Sequence, residues 1–222
     1  MDINLYYIEE GQGDPLILLH GNGEDSSYFV NQIAYFKKDY RVIAVDTRGH
    51  GKSPRGDAPF SIRQFADDLF AFMNDMNIEN AHILGFSDGG NIALCFALKY
   101  PERVKSLVLN GANLFPRGVK FTVQFPVEIG YRIAKLLSQK EKYEMLGLMV
   151  NDPALTFDDI RKIKVPSLVI AGDKDMIKDS HTRRIAEHLP CGTLEIIKGS
   201  HFCAAENPAV FNEKVSAFLR SC

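Results

Sequence analysis

Short apolar runs rich in β-branched residues occur at 16–19, 42–45, 81–84, 104–109, 168–171 and 194–197, and stretches with helical periodicity fill the spaces between them. That alternation predicts βαβ units around a mostly parallel sheet. The runs are near-continuously hydrophobic rather than apolar at every second residue, which predicts strands covered by helices on both faces. Residues 4–8 add an expected edge strand, so the sheet should have about seven strands. Ser61-Ile62-Arg63-Gln64 reads as a capping box that opens a helix carrying Phe65, Leu69, Phe72, Met73 and Met76 on one face. Asn207-Pro208 places a capping residue before a first-turn proline and opens a closing helix carrying Val210, Phe211, Val215, Phe218 and Leu219.

The alternation stops at about 112–163, where 127–137 and 141–150 read as helices joined by polar turns. A stretch of roughly 50 residues is too short for a secure core of its own. It is therefore expected to lean on a single domain spanning 1–222 as a short helical cap.

Composition narrows the function classes. The chain has 222 residues, 45% of them hydrophobic and 24% charged, with 17 glycines and 10 prolines, which excludes disordered and fibrous classes. Lys and Arg number 26 against 28 Asp and Glu, a net charge of −2 without a basic cluster, so no nucleic-acid partner is expected. No secretory leader pattern and no apolar stretch of about 18 residues is present, so neither export nor a membrane partner is expected. Cys95, Cys191, Cys203 and Cys222 are widely spaced and fit no zinc pattern. They read as reduced thiols in a cytoplasmic protein, and no metal is expected. The pattern carries no signal for monomer or homodimer.

The chemistry concentrates at Gly85-Phe86-Ser87-Asp88-Gly89-Gly90, directly after an expected strand and before the helical stretch 91–99. GxSxG in that setting is a nucleophile elbow, in which small residues let the chain turn sharply and leave a serine hydroxyl exposed above the sheet. Alone the motif is weak, since a serine that merely caps a glycine-rich turn would look the same. A serine hydroxyl needs a base, an acid that orients the base, and donors for an oxyanion. His201 in Gly199-Ser200-His201 and Asp175 in Gly172-Asp173-Lys174-Asp175 each follow an expected strand, in the order Ser, Asp, His. His20-Gly21-Asn22-Gly23 follows another, and the Asn22 and Asp88 backbone N–H groups could form an oxyanion hole. Asp173 competes with Asp175 for the histidine. His20 reads as structural, and His50, His82, His181 and His188 as loop, edge or helix-surface residues. Gly51-Lys52-Ser53 lacks the first P-loop glycine, which would fall at Asp46, and Gly21-Asn22-Gly23 lacks the third glycine of a dinucleotide fingerprint, which would fall at Ser26. No cofactor is expected.

On these motifs, together with Asp46-Thr47-Arg48-Gly49-His50-Gly51-Lys52-Ser53, nearly the whole chain resembles the small α/β-hydrolase-fold enzymes with a short cap. The resemblance implies Ser87 as nucleophile, His201 as base, Asp175 as its partner, and Asn22 and Asp88 as backbone oxyanion donors. It also implies one departure, a shortened N-terminus with a single strand before residue 16. The implied activity is hydrolysis of small or medium carboxylic esters through an acyl-enzyme. Small hydrolases of aminoacyl esters are similar at Ser87-Asp88-Gly89-Gly90, so Asp88 either caps its helix electrostatically or pairs with a substrate cation. Phe115, Phe125 and Tyr131 are candidate pocket walls, although such stripes also serve packing. Arg117, Lys120 and Arg132 would suit an anionic substrate. Other activities on the same scaffold are an enol-lactonase, a C–C lyase and a perhydrolase. A catalytically silent binding protein is the remaining class.

Overall fold

A computed structural model describes residues 2–222. The elements run β1 (Tyr7–Glu10), β2 (Asp14–Leu19), α1 (Val30–Phe36), β3 (Tyr40–Val45), α2 (Ile62–Asp75), β4 (Ala81–Phe86), α3 (Asp88–Lys99) and β5 (Val104–Asn110). They continue through α4 (Phe121–Leu136), α5 (Lys140–Asn151), α6 (Phe157–Ile160), β6 (Ser167–Gly172), α7 (Asp179–His188), β7 (Gly192–Ile197), α8 (Cys203–Glu206) and α9 (Pro208–Leu219). The seven strands form one sheet in the order β1-β3-β2-β4-β5-β6-β7. Only β1 is antiparallel to its neighbour.

Successive strand side chains point to opposite faces, and here both faces are covered. Ile17, Leu19, Ile43, Val45, Ile83, Leu107 and Val169 join one core with Phe65, Leu69 and Phe72 of α2 and Ile92 and Phe96 of α3. Leu16, Leu18, Val42, Leu84, Val108 and Ile170 join the other with Ile33 of α1 and Phe211 and Val215 of α9. Two buried faces are why the strand runs are apolar without alternation.

The chain winds from β2 to β3 in one direction and from β4 to β7 in the other, so the order reverses between β2 and β4. Leu19 pairs with Gly85 at the carboxyl ends of these neighbours. Such a reversal opens a crevice beyond the strand ends. Between β5 and β6 the chain leaves the sheet for α4, α5 and α6. Leu148, Leu155, Ile160 and Ile163 pack into the first core, which anchors these helices to the sheet layer.

Several local expectations needed correction. Residues 4–8 are not the edge strand: the Tyr6 N–H is taken by Ser53 Oγ at 2.8 Å, and pairing with β3 begins at Tyr7. The first cap helix starts at Phe121, not 127, with Pro126 inside it. Pro126 is the sixth residue of the helix, past the first turn whose N–H groups lack intrahelical acceptors, so it removes one i→i−4 hydrogen bond within α4. Only half of the expected capping box forms: Ser61 Oγ accepts from Gln64 N, while the Gln64 amide turns to Asp68. Asn207 does not cap α9; its side chain donates to Lys198 O at 2.7 Å. All four cysteines are free, Cys95 and Cys203 buried and Cys191 and Cys222 exposed. Among the described residues no helix is long and apolar enough to cross a membrane.

Candidate active site

Ser87 stands between β4 and α3 with φ 52° and ψ −117°. This is a left-handed conformation that side chains other than glycine rarely adopt, and it persists only where the surroundings enforce it. The surroundings here are glycines. A Cβ on Gly85 would come 2.3 Å from the Gly89 backbone, and one on Gly89 would come 1.9 Å from Leu19 O. The sharp turn and the close approach of α3 to β2 therefore require both.

His201 and Asp175 come from the loops after β7 and β6. His201 Nε2 lies 2.9 Å from Ser87 Oγ, and His201 Nδ1 lies 2.7 Å from Asp175 Oδ1. The histidine is 5% and the aspartate 4% exposed. Ile177 N donates to the same Asp175 oxygen at 2.8 Å and fixes the carboxylate. Asp173 instead accepts from Gly199 N, which removes it as the histidine's partner. Gly111, at φ 65°, makes room for the ring, since a Cβ there would lie 2.6 Å from His201 Cε1. Sequence reading passed over Gly111 because its contact spans 90 residues of chain.

The 20–23 loop reaches Ser87 from β2. A Cβ on Gly21 would lie 3.2 Å from Ser87 Cβ. Neither the Asn22 nor the Asp88 backbone N–H has an acceptor among the described residues. Asn22 and Asp88 both line the same pocket as Ser87. The Asn22 side chain donates to Met145 O of α5 at 2.9 Å and ties this loop to the helices above.

His20 lies behind the loop and is structural. Its Nε2 accepts from Thr47 N and its Nδ1 donates to Gly21 O, which fixes a neutral ring; burial, then the neighbouring His50, lower its pKa to about 4. His181 is not on a helix surface. It is buried, accepts from Leu114 N, and is pushed down to about 4 chiefly by burial.

The 46–53 motif is a brace. Asp46 accepts from Ser26 N and Lys52 N, and Ser53 Oγ donates to Asp46 O, so the motif's serine and lysine backbone are already engaged. Among the described residues no group of three or more His, Cys, Asp or Glu is placed to hold a metal.

A pocket of about 560 Å³, counted to its open mouth, lies over Ser87. Phe86, Phe202 and Met176 form much of its wall, with Leu148 and Met149 of α5 above. Phe115, Phe125 and Tyr131 do not line it, which overturns their candidacy. Phe115 packs edge-on to His181 and Phe157, Tyr131 lies against Gly147, and Phe125, 49% exposed, stacks on Phe121 at the outer surface. Arg117, Lys120 and Arg132 are also outside the pocket. Lys120 Nζ donates to the Asp175 carbonyl oxygen and pins the entry of α4 to the acid's loop.

Asp88 lines the pocket and makes no side-chain capping bond to α3. Its Oδ1 accepts from Asn91 Nδ2, and the Asn91 amide also bonds Asn113, a second pocket residue. Burial, the largest effect, raises the Asp88 pKa to about 6 against partial relief from Asn22 and Asn91. Asn91 stands three residues after Asp88, one helical turn on, a spacing that would have flagged this pair from sequence.

The family model described as alpha/beta hydrolase fold matches residues 14–129, just over half of the chain and including Ser87. The chain belongs to the α/β-hydrolase fold family. A 3-oxoadipate enol-lactonase from Acinetobacter baylyi is 29% identical across 99% of this chain and 94% of its own length. A Caulobacter sp. protein bearing the provisional description carbamate hydrolase is 30% identical across 92% of this chain and 90% of its own. Among solved structures, the enol-lactonase from Burkholderia xenovorans superposes with a TM-score of 0.85 at 23% identity, covering 98% and 97% of the two chains. The two curated relatives support hydrolysis on this fold, and their substrates differ.

Proposed function

We propose that this member of the family is a serine hydrolase that cleaves small or medium carboxylic esters through an acyl-enzyme. The observation that carries the reading is the Ser87–His201–Asp175 chain of contacts at 2.9 and 2.7 Å on the floor of the pocket. Ser87 Oγ attacks the ester carbonyl as His201 Nε2 takes its proton. Asp175 holds the imidazole with Nε2 free to act and stabilises the imidazolium. The Asn22 and Asp88 N–H groups receive the developing oxyanion, a contribution of about 3 kcal/mol per donor in comparable sites. The protonated histidine then passes its proton to the departing alcohol. Water, activated by His201, releases the acyl group in the same way.

The same steps open a lactone, with the leaving alcohol tethered to the acyl group. The enol-lactonase relative favours that second reading.

A serine-reactive organophosphonate tests the assignment. Mass spectrometry should find one phosphonyl adduct on Ser87, absent from Ser87→Ala and His201→Ala. An unlabelled wild-type Ser87 would remove the nucleophile from the account.

A further inference from the structure

Helix α4 carries its apolar side outward. Of its 16 residues only Gln124 and Ala134 are buried, while Phe121, Phe125, Ile129, Ile133, Leu136 and the following Leu137 are 42–84% exposed. On a helical wheel these six fall within one face about 160° wide, which they share with Pro126 and with just two polar residues, Thr122 and Arg132. Phe121 and Phe125 stack on each other at 5.1 Å instead of on the fold. Together the six leave on the order of 600 Å² of apolar surface in water. Scattered apolar residues need no explanation, but a contiguous patch of that size marks an interaction site.

Charge decides what this face fits. Residues 117–142 hold six Lys and Arg against two Glu, in a chain whose net charge is −2. Among the described residues none of the eight is in an ion pair. A second copy docked here about a two-fold axis would set one cationic rim against its twin in a contact that excludes water. An anionic lipid surface meets both features, since acyl chains receive the Phe, Ile and Leu side chains and headgroups pair with the cations. A helix lying in that interface needs no spanning length.

We infer that the outer face of α4 docks on an anionic lipid surface, with its apolar stripe at the boundary of headgroups and acyl chains and Arg132, Lys135, Lys140 and Lys142 on the headgroups. The docked face adjoins the pocket. Val119, two residues before Phe121, lines the pocket, and Gln124 donates to the backbone oxygen of the pocket residue Met149 at 3.3 Å. Docking therefore brings the site to esters dissolved in that surface, a consequence that rests on the hydrolase reading, whereas the docking itself does not.

Cosedimentation of the full-length protein with vesicles tests the inference. Binding to phosphatidylcholine vesicles containing about 30% phosphatidylserine should be at least about tenfold tighter than to pure phosphatidylcholine, and should weaken as NaCl rises from about 0.1 M to about 0.5 M. Phe125→Asp with Ile133→Asp should lower that binding at least about tenfold, with the melting temperature within about 2 °C of wild type because both side chains are exposed. Lys135→Gln with Lys140→Gln should lower it at least about threefold through charge alone. No binding to the anionic vesicles, equal binding to both compositions, or binding that either double variant leaves intact would each overturn the inference. A dimer in sedimentation velocity that the Asp variant dissolves, without vesicle binding, would give the face to a second copy and overturn it too. Failure of phosphonate labelling with vesicle binding intact would remove the hydrolase reading and leave the docking surface standing.

Discussion

Asp88 is buried at a cost to the fold, and the sign of that cost can be measured. An acid whose folded pKa is raised keeps a proton that the unfolded chain has already released. Stability therefore falls as pH rises from the ordinary carboxylate value of 3.8 to about 6, and stays lower above that. Asp88→Asn removes the ionisation and keeps the shape. It should gain about 2 kcal/mol at pH 7 in urea unfolding and little near pH 3.5. A loss of stability at pH 7 would show that the carboxylate supports the fold after all. Sequence left Asp88 between electrostatic capping and ligand binding because both place an acid at a helix start, and its place in the first turn of α3 on the pocket wall meets the geometry of both. Ser87, Asp175 and His201 were legible because each must follow a strand. Phe125 and Tyr131 were misplaced because the face that α4 presents is set by its packing on α5, and Phe115 because it precedes α4 and packs on His181 and Phe157.

Between residue and molecule, the elements are held by buried polar contacts as much as by apolar packing. Arg48 is fully buried and bonds Asp68 of α2 with two parallel contacts of 2.7 Å, while its remaining donors reach Asp2 and Arg55 O. Asp68→Ala would leave that guanidinium buried with its partner lost. It should destabilise the protein by about 3–5 kcal/mol in urea unfolding. A cost under about 1 kcal/mol would mean that Asp2 suffices to hold Arg48. The strands of the sheet interior were legible to within a few residues because their runs are nearly continuous in apolar residues, as burial on both faces requires. The edge strand was displaced because β1 is only partly buried, Tyr7 against one core and Ile8 against the other with Glu9 and Glu10 exposed, and it begins where Ser53 releases the backbone. The short helices α6 and α8, one turn each, have too few residues for a periodicity to show.

For the molecule as a whole, the reversal of strand order between β2 and β4 puts the free donors of Asn22 and Asp88, the hydroxyl of Ser87, and the loops bearing Asp175 and His201 at one end of the sheet. The buried histidines set its acid limit. His20 and His181 are held neutral with pKa values near 4, and burial lowers those of His50 and His82 as well. A depressed histidine pKa means that the unfolded chain gains protons first, so stability is lost as pH falls from 6.5 towards about 4. Asp88, Glu24 and Asp152, whose pKa values burial raises, act in the opposite direction, three groups against four. The melting temperature should accordingly be several degrees lower at about pH 4.5 than at pH 7, and a flat profile would contradict the neutral ring assignments. The central claim is tested most directly by kcat/KM for nitrophenyl isovalerate and nitrophenyl valinate, each normalised to its uncatalysed rate, in wild type and Ser87→Ala. The account predicts turnover by wild type and a loss of at least about 1,000-fold in Ser87→Ala; wild-type rates in Ser87→Ala would contradict it.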